Sequence, residues 1–424
     1  MAHPNTATPL LDVLPRLQGA AAPVVDARWA AVEAAAPATA PAAAPAPTQP
    51  AKLASCGPWQ ASLVGQAGEF WQRLQGLNHR PASAFQSTAW LQDWFSTLGA
   101  QPGLQPVFVR AWSGTGEQDD VLLPLVRRQR GGYVELDAPD LGVSDYNAPL
   151  LRGGLQFTPE SAAALWRGVG PLLAQCGDIL RIDKMLPDTP ASPNPLALSL
   201  RVHPCSTGGH DFSAARGWEP WRQSLSRQVR REGERHARVF ARWPGAKFVR
   251  VDDPHHAALV FERLEQMQDA HLARAAGYVL NQPAYRALYE RRLRGGLADG
   301  SVVLTCLQVG NEVVAALYAL RHGPRCTVVR VAHGAQAWKA FAPGRLLIER
   351  SVQHLLQDGV QHIDLGVGDH AHKRHFGCQR RPLLQVAEPL TLRGHLVRRV
   401  WQLRAALRGL RPAQGSSERT VAGH

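Results

Sequence analysis

The residues with the most chemical promise stand late in the chain, in Asp364-Leu-Gly-Val-Gly-Asp369 and the following His370-Ala-His-Lys-Arg-His-Phe376. Two carboxylates flank two glycines, and a lysine follows among histidines and an arginine. Of 47 Lys and Arg residues only five are lysine, at 52, 184, 247, 339 and 373. Where arginine is the default cation, Lys373 stands out as a place that needs a compact ammonium head. Such a group can counter a phosphate or a charge that grows during reaction. One of Asp364 and Asp369 would orient Lys373, and the other would cap the next turn. Upstream, Ser144-Asp145-Tyr146 sets a carboxylate that can take a proton beside a phenol. Asp145 reads equally as a turn-capping aspartate. His333, at the end of a β-branched run, is the alternative base. His370, His372 and His375 with Asp369 invite a metal, but they are packed too closely for a helical pair of ligands and no second cluster is fixed by spacing, so no metal site is expected. No Gly-x-Ser-x-Gly element offers a nucleophilic serine, and Cys378 has no activating neighbourhood.

The elements that must position these residues can be read around them. Cys326–Ala332 is a β-branched run expected to be a buried strand. Pro343-Gly344 opens a helix, with Leu346, Leu347, Ser351, Leu355 and Leu356 at near-helical spacing and Gly359 as its stop. His362–Leu365 is a second strand, and the right-handed crossover makes the pair parallel. A helix N-terminus after a buried strand offers free N–H groups, so Pro343, Gly344 and Arg345 form a ready anion site. The residues after His370 read as a basic loop.

Ahead of this unit, helices are expected around Phe70–Leu77, after Ser87 or Thr88 as far as Gly99, and over Ser161–Cys176; strands are expected at Val107–Trp112, Val121–Arg127 and Ile179–Asp183. Lys247–Val251 reads as a strand, Pro254–Ala273 and Gln282–Gly295 as helices. Ser301–Val309 and Glu312–Arg321 form a hairpin across Gly310-Asn311. Leu383–Pro389 reads as a last strand. Between the two groups, Trp218–Trp243 is dense in arginine. Arg227 and Arg231 share one helical face, either as a solvated basic helix or as a wall that faces an anionic substrate.

The order Pro343–Glu349, Asp358–Asp369, His372–Gly377 resembles the C-terminal half of the GNAT-like acetyltransferases of the CelD/BcsL, or BioF2-like, family. It is also similar to the FemAB-type peptidyltransferases, whose second GNAT-like half carries an aromatic-Lys-x-x-Phe element after an Asp-x-Gly strand end. Lys373 and Phe376 match that element, whereas His372 stands where an aromatic is usual. Ser144-Asp145-Tyr146, Leu180–Pro187 and the stretch from Trp221 to Arg230 match further family elements. The two-glycine pyrophosphate loop of standard GNAT domains is missing, with Pro343-Gly344-Arg345 in its place. The resemblance implies an α+β fold of tandem GNAT-like halves, each a mixed twisted sheet flanked by helices. It implies acyl transfer without an acyl-enzyme, with acetyl-CoA or another acyl-CoA as co-substrate, held at Pro343, Gly344 and Arg345, and no permanently bound cofactor. The acceptor would be an amine or hydroxyl of a sugar or a cell-surface polysaccharide precursor. Lys373, Asp145 and His333 become the catalytic candidates; Tyr146, Arg227, Arg231, Asp364 and Asp369 become the substrate-binding ones. FemAB-type aminoacyl transfer from charged tRNA is the alternative. A third reading is a non-catalytic basic module of a polysaccharide-synthesis assembly. Salt-sensitive binding to arbitrary nucleic acid would mark such a module, and no aromatic-interleaved basic motif supports it.

Composition sets the frame. The 424 residues allow two or three domains. The expected divisions are a disordered, low-complexity segment 1–55, a first GNAT-like half 56–210, an Arg-rich connector 211–246, a second half 247–390, a basic amphipathic helix 391–411 and a disordered tail 412–424. The N-terminal segment contains a weakly helical stretch, Leu10–Ala34, and an Ala/Pro tract expected to be extended. No apolar run spans a bilayer, no basic leader precedes an apolar core, and the six cysteines lack metal or disulfide spacing. These point to a cytoplasmic protein with reduced thiols. The net charge of +13 suits an anionic partner, although arginine-rich composition alone could supply it. The helix 391–411 is expected to bury a stripe of leucines and Trp401 on the second half; contact with a membrane or a synthase complex is the alternative.

Overall fold

The computed structural model describes residues 52–409 apart from 115–117, 191, 273–278 and 335. The expectations for Leu10–Ala34, the Ala/Pro tract and the tail from 412 lie outside the described residues. The described chain belongs to one compact unit that starts at Thr48.

The first half runs through β1 (Lys52–Leu53), β2 (Trp59–Val64), α1 (Ala67–Gly76), α2 (Thr88–Thr97), β3 (Leu104–Ser113), β4 (Val121–Arg130), β5 (Tyr133–Asp137), β6 (Leu150–Leu151), β7 (Leu155–Gln156), α3 (Pro159–Ala174), β8 (Ile179–Met185), α4 (Pro195–Ser199) and β9 (Val202–Pro204). The second runs through β10 (Gly209–Ser213), α5 (Trp218–Ser224), α6 (Arg227–Ala241), β11 (Lys247–Arg250), α7 (Pro254–Leu272), α8 (Pro283–Gly296), β12 (Val302–Val309), β13 (Glu312–His322), β14 (Arg325–His333), α9 (Pro343–Gln357), β15 (His362–Val367), α10 (Ala371–His375), β16 (Gln379–Arg381), β17 (Leu384–Pro389) and α11 (Leu392–Gly409). The expected basic loop after His370 is thus a single helical turn, α10.

Both halves follow one plan. An antiparallel run, β3-β4-β5 or β12-β13-β14, ends in a strand that crosses over a helix to a parallel neighbour: β5 over α3 to β8, and β14 over α9 to β15. Local chemistry sets the helix starts, and α3 begins at Pro159, two residues ahead of the expected Ser161. Ser87 accepts the Trp90 N–H to cap α2. Thr158 and Ser161 form a reciprocal box ahead of α3, with Pro159 in its first turn. α9 buries Leu346, Leu347, Ser351, Val352 and Leu355, and its Ser351 hydroxyl finds the Thr305 hydroxyl at 2.7 Å inside the core.

One late strand crosses from the second half to the first sheet. The first sheet is ordered β2-β3-β4-β5-β8-β17-β9, and the second β11-β12-β13-β14-β15-β10-β16. Leu384–Pro389, expected to finish the second half, instead pairs with β8 and β9 of the first. Gly209–Ser213, across the expected boundary between the first half and the connector, lies between β15 and β16 of the second. Each parallel pair leaves an open outer edge: β17, from the far end of the chain, covers β8, and β10, from the junction between the halves, covers β15.

A second correction concerns α11. It packs on the first half, not the second. Thr391 bonds Asp178 at 2.7 Å and caps the helix by accepting the Gly394 N–H, and the Trp401 ring meets Tyr133 edge-on at 5.9 Å. The leucines point away from this contact. Leu392 is nine residues, about two and a half helical turns, from Trp401 and so faces the opposite way. The sequence pattern merges two faces that geometry separates.

Candidate functional site

The site begins where β14 and β15 part. They pair only between Arg325–Thr327 and His362–Asp364, although β14 continues to His333 and β15 to Val367. A bulge drives the parting. Against β13, Ala319 pairs with Val328 and Tyr318 with Arg330, so Val329 is an extra residue that bends β14 away. Beyond Thr327 the β15-facing edge of β14 has no strand partner among the described residues.

The loop after β5 of the first half reaches this opening. Ser144 Oγ bonds Pro139 O at 2.9 Å and accepts from Trp90 Nε1 at 3.3 Å. Lys184 donates to Asp140 Oδ1 at 2.9 Å and to Ser144 O, and Gln86 Nε2 holds Tyr146 O at 2.6 Å. So fixed, the loop presents Asp145 and Tyr146 to the second half. Tyr146 donates its hydroxyl to Asp364 Oδ1 at 2.8 Å, and Asp145 Oδ2 accepts from Val367 N at 3.4 Å. Two glycines make room. A Cβ on Gly366 would stand 2.6 Å from Asp145 Oδ2, and one on Gly209 would stand 2.5 Å from the Tyr146 hydroxyl. Gly366 also has φ of +77°, which its lack of a Cβ permits.

Asp364 is 9% exposed and also accepts the Gly366 N–H at 2.7 Å. Burial pushes its pKa up to about 7, with help from Asp145 and Asp211 and against the lowering by the Gly366 N–H and the Tyr146 hydroxyl. Burial likewise raises Asp145, opposed chiefly by Lys184 and by the Val367 N–H. Lys373 is 3% exposed and donates to Gly366 O at 2.9 Å and Val367 O at 3.0 Å. Its ammonium therefore braces the turn against which Asp145 rests, where the sequence suggests an open cleft mouth. Burial lowers its pKa, while Asp145 and Asp364 oppose that.

Neither carboxylate orients Lys373 by a hydrogen bond. Asp364 caps the Gly366 turn, and Asp369 turns instead to His210 Nε2 at 3.2 Å and Arg380 at 3.4 Å. His370 and His372 stack at 5.6 Å, and burial with the neighbouring His370 and Lys373 takes His372 down to about 4. Among the described residues, no group of His, Cys, Asp and Glu is arranged to hold a metal ion.

The other candidates lie elsewhere on this half. His333 is exposed at the end of β14, beside Gly344, whose added Cβ would come within 3.0 Å of the imidazole. Pro343 opens α9 with no capping side chain, and its missing N–H leaves Gly344 and Arg345 to offer the first-turn amides. The Arg345 side chain turns aside to Glu232 of α6 at 2.6 Å. Arg227 and Arg231 lie exposed on α6, and neither makes an ion pair among the described residues. The structure thus brings together Asp145, Tyr146, Asp364 and Lys373, and separately His333, Pro343 and Gly344. Sequence reasoning passes over Gln86, Lys184 and His210. Lys184 carries the same signal as Lys373, a lysine in a chain that prefers arginine.

Residues 225–374 match the family described as an acetyltransferase (GNAT) domain. Among solved structures, FemX shares 10% identity, covering 81% of this chain and 99% of its own, with a TM-score of 0.55. L-PGS from Bacillus licheniformis shares 12% over 81% of this chain and 97% of its own, with a TM-score of 0.47. A tandem GNAT protein from the clavulanic acid biosynthesis pathway shares 13% over 78% and 99%, with a TM-score of 0.45. At such identities the likeness to FemX is one of fold alone. No curated protein matches the chain.

Proposed function

We propose that this protein, an acyltransferase with a GNAT domain, moves an acyl group from acyl-CoA, acetyl-CoA foremost, to an amine or hydroxyl of a sugar or a cell-surface polysaccharide precursor in the cytoplasm. One observation carries the reading: the first half delivers Asp145 to the point where β14 and β15 of the GNAT domain part. The unpaired edge of β14 suits an extended donor arm that adds to it like a strand. The first-turn amides of Gly344 and Arg345 suit the donor's phosphates. The acyl-CoA supplies an activated thioester; the chain's own residues do the rest.

Asp145 takes the proton from the attacking nitrogen or oxygen of the acceptor. Burial raises Asp145's proton affinity, and Lys184 and the Val367 N–H oppose it. Lys373 holds the Gly366–Val367 turn on which the carboxylate rests, and its charge favours the ionised base. The acceptor class rests on the family resemblance of the Ser-Asp-Tyr and Lys-x-x-Phe elements. FemAB-type aminoacyl transfer shares the same elements and is separated by donor.

The test is a thermal-shift screen with acetyl-CoA, longer acyl-CoAs, nucleotide sugars and aminoacyl-tRNA, followed by a transfer assay with whichever donor binds. A donor that binds only the folded chain raises its melting temperature. A shift with an acyl-CoA, and turnover that Asp145→Asn lowers at least a hundredfold, support the reading. A shift with aminoacyl-tRNA and none with any acyl-CoA would overturn it.

A further inference from the structure

We propose that α11 seats the protein on an anionic bilayer surface. A helix on a folded protein ordinarily turns its apolar side inward and its polar side to water. α11 is apolar on both sides. Its docked face sets Gly394 against Asp178 and Trp401 against Tyr133 of the first half, and Arg398 reaches Glu388 of β17 at 3.9 Å. On the outer side Leu392 is 89% exposed, Leu396 64%, Val400 37% and Leu403 64%. These make up most of the exposed large hydrophobics among the described residues, and they are gathered into one stripe along one helix.

The residues beside the stripe say what covers it. By helical position Arg393 and Arg404 flank it on one side and Arg399 and His395 on the other, and α11 contains no Asp or Glu. A second copy docking stripe to stripe would set arginine rows against each other. A bilayer with anionic headgroups answers both demands. The leucines enter the boundary between headgroups and acyl chains, and the arginines extend their apolar stems and reach phosphate on either side. The helix lies in the surface plane; no helix among the described residues is long and apolar enough to cross a membrane.

The probe is co-sedimentation of the full chain with phosphatidylglycerol-containing vesicles and with pure phosphatidylcholine vesicles. Sedimentation with the anionic vesicles, several-fold weaker with the neutral ones and weakened by salt, is expected. The double variant Leu396→Glu/Leu403→Glu should lose the binding at least tenfold and keep its melting temperature and its acyl transfer in solution, since both side chains are exposed. Arg399→Gln/Arg404→Gln should lose only the preference for anionic vesicles. A wild-type chain that stays in solution with anionic vesicles overturns the proposal, and so does binding that survives the glutamate pair. A lipid-free dimer in sedimentation velocity that the glutamate pair dissociates would reassign the stripe to self-association.

Discussion

Asp145 and Asp364 are two carboxyls in one buried neighbourhood, and each keeps the other's proton on. Turnover should therefore rise with pH through a limb above the ordinary carboxylate range that belongs to the pair. The two residues are distinguishable. Asp145→Asn should remove the activity. Asp364→Asn should keep some and move the limb to lower pH, because Asp145 loses a negative neighbour. Tyr146→Phe should move the limb to higher pH, because the hydroxyl that favours the charged form of Asp364 is gone. A pH-rate profile of the three variants checks the assignment, and a limb that none of them moves would remove the pair from the chemistry. The same proton affinity sets a stability trend. An unfolded aspartate titrates near pH 4, whereas Asp364 and Asp137 titrate at about 7 in the fold. Between these values the native state holds more protons, so stability should fall as pH rises from about 4 to 7. Melting temperatures across that range test it. Lys373→Ala should lower turnover a hundredfold or more and also destabilise by about 1–3 kcal/mol, since two buried carbonyls lose their donor. Lys373→Arg should not rescue, because a planar guanidinium does not fit a 3%-exposed pocket shaped for an ammonium. The scarcity of lysine made Lys373 legible in the sequence. Its inward direction was not, because a residue's rarity says that a position is demanding without saying what it touches.

At the level of elements, α9 and its two strands were legible because burial, proline start and glycine stop all agree along a short stretch. α11 was half legible. Hydropathy shows which residues share a helix face, but close approach through a glycine has no hydropathy signal. Gly394 is the key: a Cβ there would collide with the Asp178 carbonyl. Gly394→Ala should therefore lift α11 from the first half, costing about 1–3 kcal/mol and exposing Trp401, which a red shift of tryptophan emission and a lower melting temperature would record. Unchanged emission and melting would mean that the helix is held by its outer surroundings alone. The bulge at Val329 was equally invisible, since an extra residue in a strand alters pairing and leaves the apolar pattern of β14 intact.

For the whole molecule, the exchange by which β17, late in the chain, completes the first sheet makes the two GNAT-like halves one structure. Unfolding by denaturant should show a single transition, with near-ultraviolet and far-ultraviolet circular dichroism coinciding; two separated transitions would show that the halves are independent. That exchange escapes sequence reading because an edge strand carries no mark of the sheet it joins. It also bears on how the chain is made. β8 pairs early with β5 but meets its outer neighbour only when Leu384–Pro389 arrive, about two hundred residues later in synthesis. Throughout that interval the N-terminal half leaves the ribosome with an unpaired strand edge, the surface most prone to join a wrong partner. The first sheet is thus completed after translation has passed nearly the whole second half, and a ribosome stalled between Met185 and Pro389 presents a nascent chain with that edge open.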